Sequence, residues 1–581
     1  MKEDDSVLSL MSYASKYKKQ LILGPFFKLL EAILELFLPF YMAKLIDQGI
    51  RQNDLAYTIK MGIYMLIMSI VGLICVMICQ YYSSIASQGF GTELRNEMMK
   101  KINQFSHREI DSFGSATLIT RATSDINQLQ LALAMLIRLV IRAPFLSIGS
   151  IIMAFYIDTQ MGLIFLITIP VFSLILFFIM KKTVPLYKKV QQKIDHLNLV
   201  VSENLSGVRV IRAFSKKEKD VENFGEVSDD LAQAYNNVTN LSALLSPTTI
   251  LIMNFSIIFI LYFGGIRVNT GYLQTGQVLA LINYMTQMLL ALIVVANLVV
   301  IFTRAFASAN RVEEVFQTQP EIETTPIETK LPWNEETLLS FQHVSFKYTE
   351  KSGYALKDIN FNLKKNQTLG IIGPTGSGKS TLIQLIPHFY STNEGTILLN
   401  NQSVNSFKTG QLRQHIATVP QKSTLFSGTI RSNLLLGKPD ATEEECYEAL
   451  DMAQCLEFVM SLPEKLDSEV FANGKNFSGG QKQRLSIARA LIKRPDLLIM
   501  DDSLSALDYQ TDLLIRQALK EKMTKTTVII ISQRVSSVKN ADNILVLKNG
   551  KQVGYDSHER LLESSGTYRD IVNSQKEREV E

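Results

Sequence analysis

Gly373-Pro-Thr-Gly-Ser-Gly-Lys379-Ser380-Thr381 decides how the rest of the chain is read. It follows the apolar residues 368–372 and precedes 382–386, which have a helical pattern. The string is GxxxxGK[ST] between a strand and a helix, the setting in which it binds phosphate. Across Gly373, Pro374, Thr375, Gly376, Ser377 and Gly378 the backbone N–H groups can close around phosphate oxygens. The positive end of the following helix adds to the attraction. Lys379 is expected to reach the β- and γ-phosphates and Ser380 to ligate Mg2+, with Thr381 completing the motif. The expected ligands are therefore the phosphates of a nucleotide and Mg2+.

Downstream, Leu497-Leu-Ile-Met-Asp501 reads as an apolar strand ending in a carboxylate. A nucleotide site of this kind needs such an aspartate to hold Mg2+ beside the loop. From about residue 337 short strands alternate with helices, the pattern of an α/β sheet. Upstream, residues 317–336 carry Pro320, Pro326 and Pro332 among Thr and Glu and read as a linker.

The N-terminal half is of a different kind. Apolar stretches lie near 21–48, 58–83, 132–156, 160–181, 245–266 and 277–302, each close to or above the length that spans a bilayer. A soluble core helix rarely stays apolar on every face for so long. The expected fold is a membrane all-α six-span domain (21–316) followed by an α/β P-loop nucleotide-binding domain (337–581). Six spans exclude a soluble ATPase. A net charge of +4 in 581 residues is too mild for a nucleic-acid partner. The four cysteines, Cys75, Cys79, Cys446 and Cys455, have neither metal-ligand nor disulfide spacing.

Connections alternate in length. Those near 84–131 and 182–244 are long and basic, with Arg95, Lys100, Lys101, Arg108 and Arg121 in the first. The second and its flank hold Lys181, Lys182, Lys188, Lys189, Lys193, Arg209, Arg212, Lys216, Lys217 and Lys219. The short connections offer only Arg51 and Arg267. The positive-inside rule then puts both termini and both long connections in the cytoplasm. Residues 90–105 and 187–214 keep a helical rhythm, so the spans are expected to run on as helices and reverse near Gly114 and Gly207. Residues 1–20 lack an apolar signal region and suit a short surface helix, with Tyr13 and Tyr17 at headgroup level. Glu31 and Glu35 share a helix face inside the first span. They either line a path for a cationic substrate or pair structurally, Lys28 being at hand.

With Asn476-Phe-Ser-Gly-Gly-Gln481 between the two nucleotide motifs, the whole chain resembles the ATP-binding cassette (ABC) transporters. One membrane half plus one cassette resembles an exporter half-transporter, which implies a second ABC half-transporter as partner. The resemblance also assigns roles. Tyr348 matches the aromatic that stacks on adenine. Gln421 matches the Q-loop glutamine that touches Mg2+. Ser478, Gly479, Gly480 and Gln481 match the signature loop that caps the γ-phosphate held by the opposite subunit. Ser505-Ala-Leu-Asp508 matches the D-loop, and the regions around Gly114 and 208–214 look like coupling helices.

Departures from the family pattern are equally informative. Asp502 stands where the family usually has a glutamate base, and Gln533 where it has a histidine. A carboxylate shortened by one methylene loses reach toward water, and an amide carries no imidazolium charge. Phe477 replaces a commoner Leu, and 468–474 lacks the usual Gly-Glu-rich run. With catalytic positions altered and the signature intact, the resemblance implies a heterodimer. This chain then supplies a slowly hydrolysing site and lends its signature to the partner's active one. The expected function is ATP-driven export of hydrophobic or amphipathic compounds, with Phe37, Phe40, Tyr41, Met285 and Met288 offered as greasy cavity residues. Lipid flipping, or a regulatory ATP-binding subunit without export of its own, are the alternatives. The location implied is a cell membrane, by resemblance a bacterial inner membrane.

Overall fold

In the first half the long apolar stretches become long helices, because lipid offers no partner for free backbone N–H and C=O groups. The structure, a computed structural model, describes residues 9–321, 336–407, 409–505 and 507–580. Most of the expected linker, residues 1–8 of the N-terminal segment and Ala506 of the D-loop lie outside the described residues. The chain forms two units, Met1–Lys101 with Ala116–Thr318, and Ile102–Ser115 with Gln319–Glu581.

In the first unit all of the expected spans are helical. Five segments are long and apolar enough to cross a membrane among the described residues: Leu55–Gln104, Ser115–Ile157, Thr159–Ala213, Lys217–Asn269 and Thr275–Gln317. The expected first span is the 27-residue helix Lys18–Lys44, which falls outside that set. Lys28, Glu31 and Glu35 lower its hydropathy. These charges are paired: Lys28 Nζ lies 2.9 Å from Glu31, and Arg142 lies 3.5 Å from Glu31 and 2.7 Å from Glu35. Two cations thus cancel two carboxylates, which supports the structural reading of Glu31 and Glu35 over attraction of a cation. Replacing Arg142 with Ala leaves Glu35 without its partner. The expected cost is on the order of 1–3 kcal/mol, read as a lower melting temperature of the detergent-solubilised chain. An unchanged melting temperature would show that the pair contributes nothing.

Helices Leu55–Gln104 (50 residues) and Thr159–Ala213 (55 residues) outrun the bilayer, as the helical rhythm of the basic connections requires. At about 1.5 Å per residue they are about 75 and about 83 Å long, against a hydrocarbon core of about 30 Å. Gly114 ends the helix His107–Phe113 at φ +76°, a conformation that costs glycine little. Gly207 does not turn the chain. It sits inside Thr159–Ala213, and the reversal comes at Ser215, with φ +53°. A single glycine costs only about 1 kcal/mol in a helix interior, too little to break one of this length. Residues 208–213, expected as a separate coupling helix, are accordingly the end of that long helix.

The described part of the N-terminal segment includes a short helix, Ser12–Tyr17, whose tyrosines also pack on the unit. Tyr13 stacks on Phe316 at 5.7 Å, and Lys16 pairs with Glu93 at 2.8 Å. The Tyr17 ring lies against Gly89, where any Cβ would meet it at 2.2 Å. Both tyrosines take part in packing within the unit, since partly covering an aromatic ring removes apolar area from water.

The second unit holds two main sheets. β1 (Thr337–Phe346), β2 (Leu356–Lys364), β4 (Glu394–Leu399) and β5 (Gln402–Ser403) form an antiparallel sheet in the order β2-β1-β4-β5. β3 (Thr368–Ile372), β6 (Ile416–Val419), β9 (Leu497–Asp501), β10 (Thr527–Ile531), β11 (Asn543–Lys548) and β12 (Lys551–Asp556) form the other, ordered β12-β11-β3-β10-β9-β6. A small pair, β7 (Gly428–Thr429) with β8 (Glu469–Val470), braces the helices that follow β6. β11, β3, β10, β9 and β6 run parallel, and β9 and β10 are buried at every position. Such unbroken apolar strands are what a sheet covered on both faces requires. All four cysteines are buried and unpaired thiols.

Candidate functional site

Parallel pairing sets the site. Ile531 lies opposite Ile371 on one side and Asp501 on the other, so β3, β10 and β9 end abreast. The chain leaving each strand enters one crevice at the carboxyl edge of the sheet, where open α/β sheets bind ligands. A cleft of about 370 Å³ there is lined by Tyr348, Thr375, Gly376, Ser377, Gly378, Lys379, Ser380, Thr381, Gln421, Asp501, Asp502 and Gln533, with Ala355 and Ile531. Residues 185 positions apart in sequence, Tyr348 and Gln533, are thereby brought to one wall.

The loop's shape comes from its glycines. Gly376 and Gly378 adopt φ +79° and +99°, and a Cβ on Gly373 would strike the Leu547 carbonyl at 2.2 Å. Lys379 is buried, and its Nζ donates to the carbonyls of Gly373 (2.7 Å) and Pro374 (2.8 Å). Burial pulls its pKa down, while Asp502 and Asp501 oppose the shift. Ser377 Oγ is buried in the loop with no hydrogen-bond partner. A cationic head folded onto its own loop and an orphaned hydroxyl are the features of a cradle suited to a phosphate chain.

Asp501 ends β9, and Ser380 Oγ donates to it at 3.4 Å. Burial raises its carboxyl pKa, with the Ser380 bond working the other way. Carboxylate, hydroxyl and the Gln421 amide oxygen are hard donors of the kind Mg2+ prefers. No cluster of three or more His, Cys, Asp or Glu suited to a metal occurs among the described residues. Such a sparse set fits an ion that takes its remaining ligands from phosphate oxygens and water.

Asp502 sits at φ +45°, with its N–H bonded to the Ile531 carbonyl at 3.0 Å. Its carboxylate accepts from Gln421 Nε2 at 3.2 Å, so the Q-loop residue and the position after Asp501 meet directly. Gln533 lines the same cleft, and its carbonyl accepts from Gln575 Nε2 at 2.7 Å. Gln575 also accepts from the Val535 N–H at 2.8 Å. It clamps the loop that presents Gln533, and nothing local in the sequence marks it. Tyr348 shares a hydrogen bond with the Thr381 hydroxyl at 3.0 Å and donates to Gln384 at 3.4 Å.

Ser478, Gly479, Gly480 and Gln481 are not among the residues lining this cleft. They open the helix Gly479–Leu491, where Ser478 Oγ accepts from the Gln481 N–H (3.3 Å) and Gln481 Oε1 from the Ser478 N–H (2.8 Å). That reciprocal cap leaves the N–H groups of Gly479 and Gly480 at an intact helix start. Phe477 packs edge-on against Phe458 at 5.6 Å, so its departure from Leu is a matter of core filling. In the atypical stretch before it, Asn476 supplies the order, accepting from the Phe471 N–H (3.1 Å) and donating to the Glu469 carbonyl (2.8 Å).

Comparison with known proteins shows the family. Residues 21–292 match the family model described as ABC transporter transmembrane region, and 356–505 match the one described as ABC transporter. The uncharacterized ABC transporter ATP-binding protein YfiB of Bacillus subtilis is 36% identical over 552 residues, covering 95% of both chains. A Mycobacterium tuberculosis protein of the same description is 34% identical over 570 residues, covering 97% of both. Among solved structures, a bacterial Atm1-family ABC exporter with ATP bound superposes with a TM-score of 0.79, covering 97% of this chain and 98% of that one. At 22% identity that likeness speaks for the fold.

Proposed function

This chain belongs to the ABC transporter family, and from that premise we propose that it is the slowly hydrolysing half of a heterodimeric exporter of hydrophobic or amphipathic compounds. Membership makes it a multi-span membrane protein whose ATP-binding domain couples hydrolysis to transport. The observation that carries the finer reading is the content of the cleft. Its two hydrolytic positions hold Asp502 and Gln533, while the signature helix, capped by Ser478, keeps its full complement of groups outside that cleft.

In this reading Lys379 and the loop amides hold the phosphates of ATP, and Ser380, Asp501 and Gln421 hold Mg2+, which neutralises charge on the phosphates. The Asp502 carboxylate is tied to Gln421 and stops one methylene short of a glutamate's reach. Gln533 offers a neutral hydrogen bond where a histidine would offer a charged one. ATP therefore stays bound and turns over slowly. The signature loop of this chain completes the opposite site, on a partner that carries the glutamate and histidine. Both termini face the cytoplasm, in accord with the basic long connections.

The test is ATP hydrolysis by the purified chain in lipid, alone and co-purified with candidate partner half-transporters. Expected are negligible turnover alone and strong turnover with the right partner. Substituting Ser478→Arg is expected to abolish the paired turnover by at least about 100-fold (a loss typical of removing a transition-state contact) while this chain still binds ATP. Fast turnover alone, or a paired rate indifferent to Ser478→Arg, refutes the asymmetric reading. Stimulation by lipid rather than by amphipathic drugs would replace export of such compounds with lipid flipping.

A further inference from the structure

We propose that Tyr390 and Asp111 set how tightly this chain holds the base of its nucleotide, acting as positioning residues on Tyr348. The inference rests on the reading that the cleft binds ATP. It assigns a role to two residues that no motif names, Asp111 lying on the helix before Gly114 that resembles a coupling helix.

Tyr348 is tied through its hydroxyl to Thr381 and Gln384, which leaves the tilt of its ring to the neighbouring rings. Its side chain is 39% exposed at the edge of the cleft, and a ring so placed stacks on a base only if its orientation is fixed beforehand. Two rings fix it. Phe346 meets it edge-on at 5.0 Å, and Tyr390 meets it at 5.4 Å with an interplanar angle of 87°. Tyr390 is itself buried, and its hydroxyl donates to Asp111.

Asp111 lies on the helix His107–Phe113, which in sequence falls between two membrane spans but belongs to the second unit. That helix is seated by several contacts. The His107 ring stacks on Phe389 at 4.3 Å, and the His107 N–H donates to the Phe389 carbonyl at 3.3 Å. The Arg413 guanidinium also covers Phe389, at 4.8 Å from the ring centre. Arg108 pairs with Glu321 at 2.7 Å and donates to the carbonyl of Lys347 at 3.4 Å, one residue before Tyr348. The helix thus reaches Tyr348 by two routes, through its backbone neighbour and through its ring neighbour. By linkage, whatever affinity for the base depends on this seating must return as stability of the seating when the base binds.

Titration calorimetry on the purified full-length chain in lipid nanodiscs tests this, comparing MgATP with magnesium tripolyphosphate, which has no base. Asp111→Ala and Tyr390→Phe are each expected to weaken MgATP about 5- to 10-fold, the lower range of measured couplings. Tripolyphosphate binding should stay within about twofold. Asp111→Asn keeps an acceptor for the Tyr390 hydroxyl and should restore most of the loss. Combined with Tyr348→Ala, Asp111→Ala should add nothing further, because the platform it acts on is gone. Equal losses for both ligands, fully additive losses in the double variant, or unchanged MgATP binding in Asp111→Ala each overturn the inference. If the unaltered chain binds neither ligand, the ATP-site reading itself falls and carries this one with it.

Discussion

Asp502→Glu combined with Gln533→His is expected to raise ATP turnover at this chain's own site by about tenfold or more, less than the roughly 100-fold of a general base added outright, because Asp502 already supplies a carboxylate. The expectation follows from how Asp502 is held. Its backbone is anchored to Ile531 and its carboxylate leans toward Gln421, so a longer side chain starts from the same fixed root. The added methylene extends the carboxylate into the cleft, and histidine adds a group that can carry charge beside the phosphates. Each change alone is expected to give less than the pair, since the two act on one transition state. Single-turnover hydrolysis of ATP by the full-length chain, with its signature supplied by a partner, measures it directly. A doubly substituted chain as slow as the original would mean that another feature limits this site, with the atypical stretch before the signature the next place to look.

The second large effect is on binding. Lys379→Met is expected to weaken MgATP by about 100-fold, corresponding to about 2.8 kcal/mol at 1.4 kcal/mol per tenfold. Hydrogen bonds to charged groups contribute about 1.5–3 kcal/mol each, and Lys379 makes two within its own loop that can be exchanged for phosphate oxygens. The folded chain is expected to lose no more than these two hydrogen bonds contribute, about 1–3 kcal/mol. Affinity measured by calorimetry, alongside melting temperature, separates the two outcomes. Affinity within twofold of the original would show that Lys379 does not engage the phosphates, whatever the loop looks like.

Local motifs carried most of the nucleotide site. The glycine spacing before Lys379, the apolar strand ending in Asp501 and the Ser478–Gln481 cap can be read directly because backbone geometry at each is set by near neighbours. Helix length was equally readable, since apolar runs without proline or glycine clusters leave few other conformations. The turn near Gly207 was misplaced for the converse reason. A glycine marks where a turn is cheap, but in a long helix the neighbouring hydrogen bonds decide. The contacts of Tyr13 with Phe316 and of Tyr17 with Gly89 were likewise not legible, because those partners lie far away in sequence.

The sequence by itself determined a membrane domain of long helices, an α/β cassette and the glycine-rich loop between its strand and helix, all of which depend on periodicity and on contacts a few residues apart. Only the tertiary structure decided which distant groups share a wall. Parallel strand register placed Gln533 and Asp502 beside the loop at Lys379, ion pairing removed Glu31 and Glu35 from the field of free charges, and Gln575 and Tyr390 took up supporting positions. Those relations are set by long-range packing, in which each side chain's partner depends on the whole fold and leaves no mark in its own neighbourhood of the sequence.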